Sequence, residues 1–541
     1  MMVFLRTGAR GTLIQKSVII ILAFICIASL LANRQKLSTS INNTVGRPQQ
    51  ASKLGDSASQ DTKASTNDVQ TPTNDAVENS DAHLHLLIPA TSSNQYLCQL
   101  LLSAAVLNYP IPTLINWGAA EDSNAFVQHI AKVSKILEYL KSFPEGKEKD
   151  LVLIVDGYDV WFQLRSDVLI KRYFAINNAA NERISKSLGN VAAKHDIQQT
   201  VIFGPDKLCW PSGKDGGRAA CWALPQSTLP KDAFGPINDT DIVTAISDPV
   251  HSRPRWLNSG TVMGTLEDVR AVFEATRDFV QKNHTSDSDQ WYLANLFAEQ
   301  EYSRTLLQKK PSFNAPAEPE IPDIKNGQKT EYHIGLDYES ELFQTVGYYQ
   351  KFISWLWFDA AKGKGQQLSQ SFTNPHGFEL PEDILASPPP FSMESKSHWE
   401  TTTAGDEEIR EAATKLPLDR NWKDLRLATN VITKQIFAVL HFTFVKELRD
   451  EWWRKMWYYQ QGKELLFASA RQPKAPTSDK LIQGQMWWNA EASHLADSEQ
   501  VLKSTQGQKG GAWSDKGKWV AWDDVCSAYE GLIFPAKAKG G

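Results

Sequence analysis

The sequence predicts an α/β fold with a doubly wound, Rossmann-like sheet, and three observations predict it. Apolar strand-like runs alternate with amphipathic helix-like runs from Leu84 to Val155. The last of these runs opens LVLIVDGYDVWFQL (Leu151 to Leu164) with five unbroken apolar residues, the pattern of a buried parallel strand. Asp156 and Asp159 follow it directly, at the strand end where open α/β sheets bind ligands.

The elements follow in order. LHLLIPAT (Leu84 to Thr91) is the first strand. Gln95 to Asn108 has helical spacing, with Leu97, Leu100, Leu101, Ala104 and Ala105 apolar, and Pro110 and Pro112 stop it. TLINW (Thr113 to Trp117) is the second strand, and Ala125 to Ser142 the second helix, with Ile130, Val133, Ile136, Leu137 and Leu140 on one face. Leu151 to Val155 is the third strand. Beyond residue 200 the alternation loosens. Strands are expected at VIFG (Val201 to Gly204) and TVMG (Thr261 to Gly264), and helices at Leu266 to Lys282 and Asp289 to Glu301. Residues 305–330 are Pro-rich and expected irregular. Residues 351–420, of low hydropathy around Pro388 to Pro390, are expected to be an insertion or linker. IFAVLHF (Ile436 to Phe442) is expected as a strand and a helix from about Lys446, so 421–470 returns to the main domain of 83–350. Residues 471–541 contain several Trp but no clear period, and read as a tail.

The N-terminus predicts a membrane anchor. Arg6, Arg10 and Lys16 make residues 1–16 a cytosolic tail, and Ser17 to Asn33 is uncharged and apolar. That run is longer than a signal-peptide core and suits a thin endomembrane, which favours an uncleaved anchor over a cleaved signal. Residues 34–82 are polar, without an aromatic from Lys36 to Asp81, and are expected to be a disordered stem. The expectation is a single-pass type II chain of the Golgi or endoplasmic reticulum, with its bulk luminal. Glycosylation acceptors at Asn42, Asn238 and Asn283 agree with that compartment. So do four cysteines outside the apolar run, Cys98, Cys209, Cys221 and Cys526, enough for two disulfides; Cys209 and Cys221 bracket a Gly-rich loop that a local bridge would pin. A net charge of -5 without a polybasic segment excludes nucleic acid as the expected partner. The 18 Trp are expected mainly in the core, with sugar contact as the alternative use.

Asp156-Gly157-Tyr158-Asp159 carries the chemistry. Two carboxylates at one strand end repel unless a cation lies between them, and hard oxygen ligands suit Mg²⁺ or Mn²⁺. Such a cation keeps positions free for substrate phosphates. Glycosyl transfer from a nucleotide sugar needs this charge neutralisation, and Tyr158 offers a stacking face for the nucleotide. A strand-end turn or cap is the competing structural role.

Several ordered blocks resemble the glycosyltransferase domain of the multifunctional procollagen lysyl hydroxylases and, more loosely, the collagen galactosyltransferases. They are AKVSKILEYL (Ala131 to Leu140), LVLIVDGYDV, VIFGPDKLCWP (Val201 to Pro211), RPRWLNSGTVMG (Arg253 to Gly264), SDQWYL (Ser288 to Leu293) and HIGLDYESELFQ (His333 to Gln344). The resemblance implies a GT-A fold with a mixed sheet flanked by helices, a UDP-sugar donor, Mn²⁺ (or Mg²⁺), and a glycan or glycoprotein acceptor. It implies metal ligation by Asp156 and Asp159. The family's third ligand is a His in a His-Gly-Asn-Gly-x-x-Lys block, matched here by HFTFVK: His441 as ligand and Lys446 against the diphosphate, with Phe442 and Phe444 where the family has glycine. It further implies site roles for Asn258, Ser259, Asp289 and Lys132, while Asp337 and Gln344 are matching positions only. The lost glycines leave a second possibility open, an inactive chain that binds a glycan or partner. Nothing after residue 345 matches the family's iron-dependent hydroxylase domain.

Overall fold

The structure, a computed structural model, describes residues 81–541 except 120–124, 213–215, 236–246, 284–287, 309–312, 314, 360–377, 393–410, 412–413, 471–474, 507–508 and 537–541; of 125–129 and 283 it describes the backbone only. The expected anchor at Ser17 to Asn33 and the stem up to residue 80 lie outside the described residues. Among the described residues no helix is long and apolar enough to cross a membrane.

A nine-stranded mixed sheet organises the chain. Its centre is β1 (Ala82–Pro89) beside β3 (Leu151–Val155), paired in parallel, with β2 (Thr113–Ile115) parallel on the other side of β1. Helix α1 (Gln95–Val106) follows β1; Asn94 caps it by accepting from the backbone N–H groups of Tyr96 and Leu97 at 2.9 Å each. Helix α2 (Ala125–Lys141) leads to β3. Every side chain of β3 is buried because both faces are covered. Leu151, Leu153 and Val155 join one core with α1, and Val152 and Ile154 join the other with α2, which is the period of two made visible.

The expected parallel sheet becomes mixed beyond β3. Strand β4 (Val160–Phe162) leaves it, helix α3 (Ser166–Leu188) follows, and β5 (Val201–Asp206) returns. Strand β6 (Trp256–Thr265) inserts between β3 and β5, antiparallel to both. Helices α4 (Leu266–Asn283) and α5 (Asp289–Gln308) pack on the second core, so α5 runs past the point where irregular chain was expected. Strand β7 (Ile334–Leu336) closes that edge in parallel with β5. Strand β8 (Phe343–Thr345) follows it.

Three expectations are corrected after residue 350. The segment read as linker begins with β9 (Ile353–Trp357), which pairs antiparallel with β10 (Arg426–Asn430). IFAVLHF is a strand only over its last part, β11 (Val439–His441), and the helix after it, α6, spans Leu448–Trp453. The C-terminal segment also builds the main sheet. Its β12 (Trp487–Asn489) lies along the first half of β1, its β13 (Gly511–Ser514) pairs with β2, and β14 (Trp519–Ala521) forms the edge. The Cys98–Cys526 disulfide fastens it to α1, and Trp487, Trp513 and Trp522 are fully buried. The second disulfide is Cys209–Cys221.

Candidate functional site: an Asp-Asp-His triad at the end of β3

The acid turn is shaped by its neighbours. Asp156 still belongs to the sheet, its N–H donating to the Gly260 carbonyl at 2.9 Å. The chain then passes so close to the end of β1 that a Cβ on Gly157 would lie 2.5 Å from the Pro89 carbonyl oxygen, so glycine is required there. Tyr158 bolts the turn down. Its hydroxyl accepts from the N–H groups of Thr91 and Ser92 (3.0 and 3.2 Å) and donates to the Ser92 carbonyl (3.0 Å). Asp159 is buried and leads into β4.

A small second sheet delivers the histidine. Strand β11 lies between β4, antiparallel, and β8, parallel, with His441 opposite Val160 and Thr345. Phe442 N–H donates to the Asp159 carbonyl at 2.8 Å, which fixes this register beside the acids. His441 Nε2 lies 3.6 Å from Asp159 Oδ1 and 4.0 Å from Asp156 Oδ2. One ligand atom from each of the three residues lies within 4.8 Å of the others. Donors bound to one divalent ion at ~2.1 Å stand about 3.0 Å apart at right angles and about 4.2 Å apart when opposed, so these separations fit an ion. The buried Nδ1 of His441 has no hydrogen-bond partner among the described residues.

Gly260 makes room for the triad. A Cβ there would stand 2.2 Å from His441 Cε1 and 2.7 Å from Asp156 Oδ2. It lies in an irregularity of β6: β5 pairs Phe203 with Val262, then Gly204 with Asn258, so Ser259 to Thr261 bulge from that ladder. Bulges of this kind re-aim side chains beside functional sites.

Two lysines neutralise the acids. Lys446 Nζ lies 2.9 Å from Asp159 Oδ2, and Lys132 Nζ lies 2.6 Å from Asp156 Oδ1 and 2.8 Å from Asp289 Oδ2. Burial pushes the Asp159 carboxyl up, but His441 and Lys446 outweigh it and hold it well below the usual carboxylate range. Burial pulls the His441 imidazole down, while Asp159, Asp156 and Asp206 together raise it above its ordinary value. Lys132 behaves alike: burial lowers it, and Asp156 and Asp289 raise it further than burial lowers it.

A polar layer supports the bulge. Asn258 Nδ2 donates to Asp206 Oδ2 (2.9 Å) and Gln290 Oε1 (3.3 Å), and its Oδ1 accepts from Gly260 N–H (3.0 Å). Gln290 Oε1 also accepts from Ser259 N–H (3.3 Å), and its Nε2 donates to the Trp210 carbonyl (3.3 Å). Asp206, at the end of β5, is pushed up to about 6 by burial, against the pull of Asn258, His441 and Gln290.

The structure therefore gathers Asp156, Asp159, His441, Lys446, Lys132 and Asp289 into one charged cluster, with Asn258 and Ser259 beside it. Asp206, Gln290 and Gly260 were not singled out from the sequence. Asp206 and Gln290 stood inside quoted blocks, and the strand-end acid that marked Asp156 marks Asp206 equally. Asp337 and Gln344 serve the chain around β8 instead. Asp337 caps the turn before β8, accepting from the N–H groups of Glu341, Leu342 and Phe343, and burial pushes it up to about 6. Gln344 Oε1 accepts from Asn430 Nδ2 at 2.8 Å.

The two phenylalanines after His441 divide. Phe442 is fully buried against Trp161, ring centroids 4.4 Å apart. Phe444 is half exposed and has φ +61°, a left-handed conformation that costs a non-glycine residue ~1–2 kcal/mol. Phe444 thus occupies a backbone conformation that favours glycine. Comparison of the chain with protein-family models and with curated proteins yields no match.

Proposed function

We propose that this chain is a metal-dependent glycosyltransferase of the GT-A type, moving a hexose from a UDP-sugar to a hydroxyl of a glycan or glycoprotein. The observation that carries the proposal is the meeting of Asp156, Asp159 and His441 from two separate sheets, with mutual spacing that suits one divalent ion. These three residues would hold Mn²⁺ or Mg²⁺, which as a Lewis acid supplies charge neutralisation for a departing diphosphate. In the transfer, the bond from the anomeric carbon to the diphosphate breaks and a bond to the acceptor oxygen forms. The acceptor's proton goes to a base, and UDP leaves.

The protein's own groups divide this work. Lys446 is more than half exposed and can turn from Asp159 to a phosphate. Lys132 bridges Asp156 and Asp289 and so links the acid turn to α5. Asp289 is assigned to the acceptor hydroxyl, as base or positioning group, because Lys132 ties it to the acid turn. Asn258 and Ser259 hold the bulge that faces the reacting sugar. Tyr158 spends its hydroxyl on the turn and keeps a partly exposed ring for the nucleotide. The proposed setting is the lumen of the Golgi or endoplasmic reticulum, with Ser17 to Asn33 as anchor. The second reading, an inactive chain that binds a glycan or partner, draws on the loss of both glycines after His441. The left-handed backbone at Phe444 favours the active reading.

Thermal denaturation with a panel of nucleotide sugars, with and without Mn²⁺, tests this. A ligand that binds only the folded chain raises its Tm. The expected result is a rise with a UDP-sugar that requires Mn²⁺ and disappears in Asp156→Ala. No rise with any uridine nucleotide in Mn²⁺ would overturn the proposal.

A further inference from the structure

Beside the triad lies a feature that ligand charge does not explain. Trp210 is 53% exposed and Phe444 is 49% exposed, although most large aromatic side chains of the described residues are buried. Their rings meet edge to face, 6.4 Å between centroids at 83°. The partly exposed Tyr348 also meets Phe444, 5.3 Å away at 51°. Phe444 is thus the shared wall of an open aromatic corner, three residues beyond His441.

The corner is fixed. Both Tyr348 (φ +63°) and Phe444 (φ +61°) have left-handed backbones, a cost that the surroundings must sustain. Their two loops are stitched together: Val346 N–H donates to the His441 carbonyl at 2.8 Å, and Gly347 N–H to Thr443 Oγ1 at 2.9 Å. A Cβ on Gly347 would lie 2.6 Å from Phe444 Cδ2, so the approach requires glycine. Trp210 is held between the Cys209–Cys221 bridge and Gln290, the same glutamine that bonds Asn258 and the Ser259 N–H. Strained backbone and exposed rings, rigidly tied to the triad, mark a surface built to be covered.

The chemistry of the corner selects its occupant. Aromatic faces carry partial negative charge and attract C–H groups. These rings stand at steep angles to one another, so a flat nucleobase could stack on only one of them at a time. A pyranose fits such a corner, since it presents C–H bonds on its faces and hydroxyls at its rim. The exposed Lys446, two residues beyond Phe444, supplies a polar group nearby.

We propose that Phe444, Tyr348 and Trp210 form a pyranose-binding corner beside the triad, with Phe444 as the specificity-determining wall. This deepens the transferase reading and rests on it. The ring belongs either to the donor hexose or to the acceptor glycan; the chemistry is shared.

Saturation-transfer NMR on the full-length chain with a panel of methyl glycopyranosides tests the corner. Thermal shift with UDP and Mn²⁺ runs in parallel. At least one glycoside is expected to show transfer. Phe444→Gly suits the left-handed backbone and should fold; it is expected to cut the transfer tenfold or more, with the UDP shift unchanged. Phe444→Tyr is expected to restore it, and Trp210→Ala to weaken it. Displacement of the glycoside by a UDP-sugar but not by UDP identifies the ring as the donor's; persistence identifies it as the acceptor's. The proposal is overturned if no glycoside binds, or if Phe444→Gly and Trp210→Ala leave the transfer unaltered. Glycoside transfer without any UDP shift sinks the transferase reading and leaves the corner standing.

Discussion

Strand β3 has an acid at each end, and the two ends differ. Asp150, before its first residue, is closed in. It accepts from the His83 N–H at 3.2 Å and shares a proton contact with His85 Nε2 at 2.9 Å, and its carbonyl accepts from Leu266 N–H at 2.8 Å. Lys147, 3.8 Å from its Oδ2, is a flexible partner, but the His83 N–H and the His85 ring are both carried by β1. Asp156 and Asp159, beyond its last residue, hold lysine side chains and stand at non-bonded distance from an imidazole. Lysine ammonium groups on flexible stems are displaceable. A buried acid held by backbone and ring groups is structure; an acid pair with removable partners, one acid buried and one partly exposed, is a site.

Removing an acid should therefore have opposite consequences at the two ends. The largest expected effect is Asp159→Ala: Mn²⁺-dependent turnover of a UDP-sugar should fall ~1000-fold, about 4 kcal/mol of transition-state stabilisation. Its Tm should change little, because Lys446 is free to turn to solvent. Asp150→Ala should instead leave UDP-sugar affinity intact and cost about 2–3 kcal/mol of stability, because the His83 N–H and the His85 ring lose a buried acceptor. Denaturant unfolding and nucleotide titration on both variants check the contrast. If Asp159→Ala unfolds as readily as Asp150→Ala, the distinction collapses.

Gly260→Ala sharpens it further. The added methyl would meet His441 and Asp156 first. Mn²⁺ affinity should drop about 10–100-fold, the scale of changes that misplace a ligand without removing it. A titration of Mn²⁺ monitored by electron paramagnetic resonance reads that directly. Unchanged affinity would mean that His441 does not ligate.

How far the sequence foretells this site follows the range of the interactions. The β3 strand and its acids are legible because a local apolar run of five residues specifies a strand buried on both faces. Helices α1 and α2 are legible because their period repeats over three turns or more. The antiparallel insertion of β6 between β3 and β5 is not, since pairing partners leave no mark within a strand. The triad was reachable only through the order of blocks, because β11 is three residues long and its register on β4 and β8 is a purely tertiary fact. The C-terminal strands escaped for the same reason: three or four residues each, with Gly511 and Trp where a period would stand. Lys132 looked like an exposed helical lysine; its two carboxylate partners come from β3 and α5.

The smallest expected effect belongs to the closed end and concerns pH. His494 packs against Phe143, ring centroids 4.0 Å apart, and its Nε2 meets Ser142 Oγ at 2.8 Å. Burial, with a smaller push from His85, lowers its imidazole to about 4. Burial also lowers His83, against the pull of Asp150 and with Lys147 and His85 adding to the drop. Both rings bind protons less readily in the folded chain than in the unfolded one, whose value is ~6.5. Their contribution to stability is therefore complete above ~6.5 and is lost as pH falls from there through about 4. Asp206 and Asp337, pushed up to about 6, act in the opposite sense over that window, so the reading is a difference: the Tm of the parent chain should fall relative to that of His494→Phe, which keeps the ring contact and removes the proton site. Asp159, held low in the folded chain, adds its own loss only from about pH 5 downward, at the acid end of the window. An equal slope in His494→Phe would remove the histidine from the account of the closed end and leave its stability to Asp150 alone.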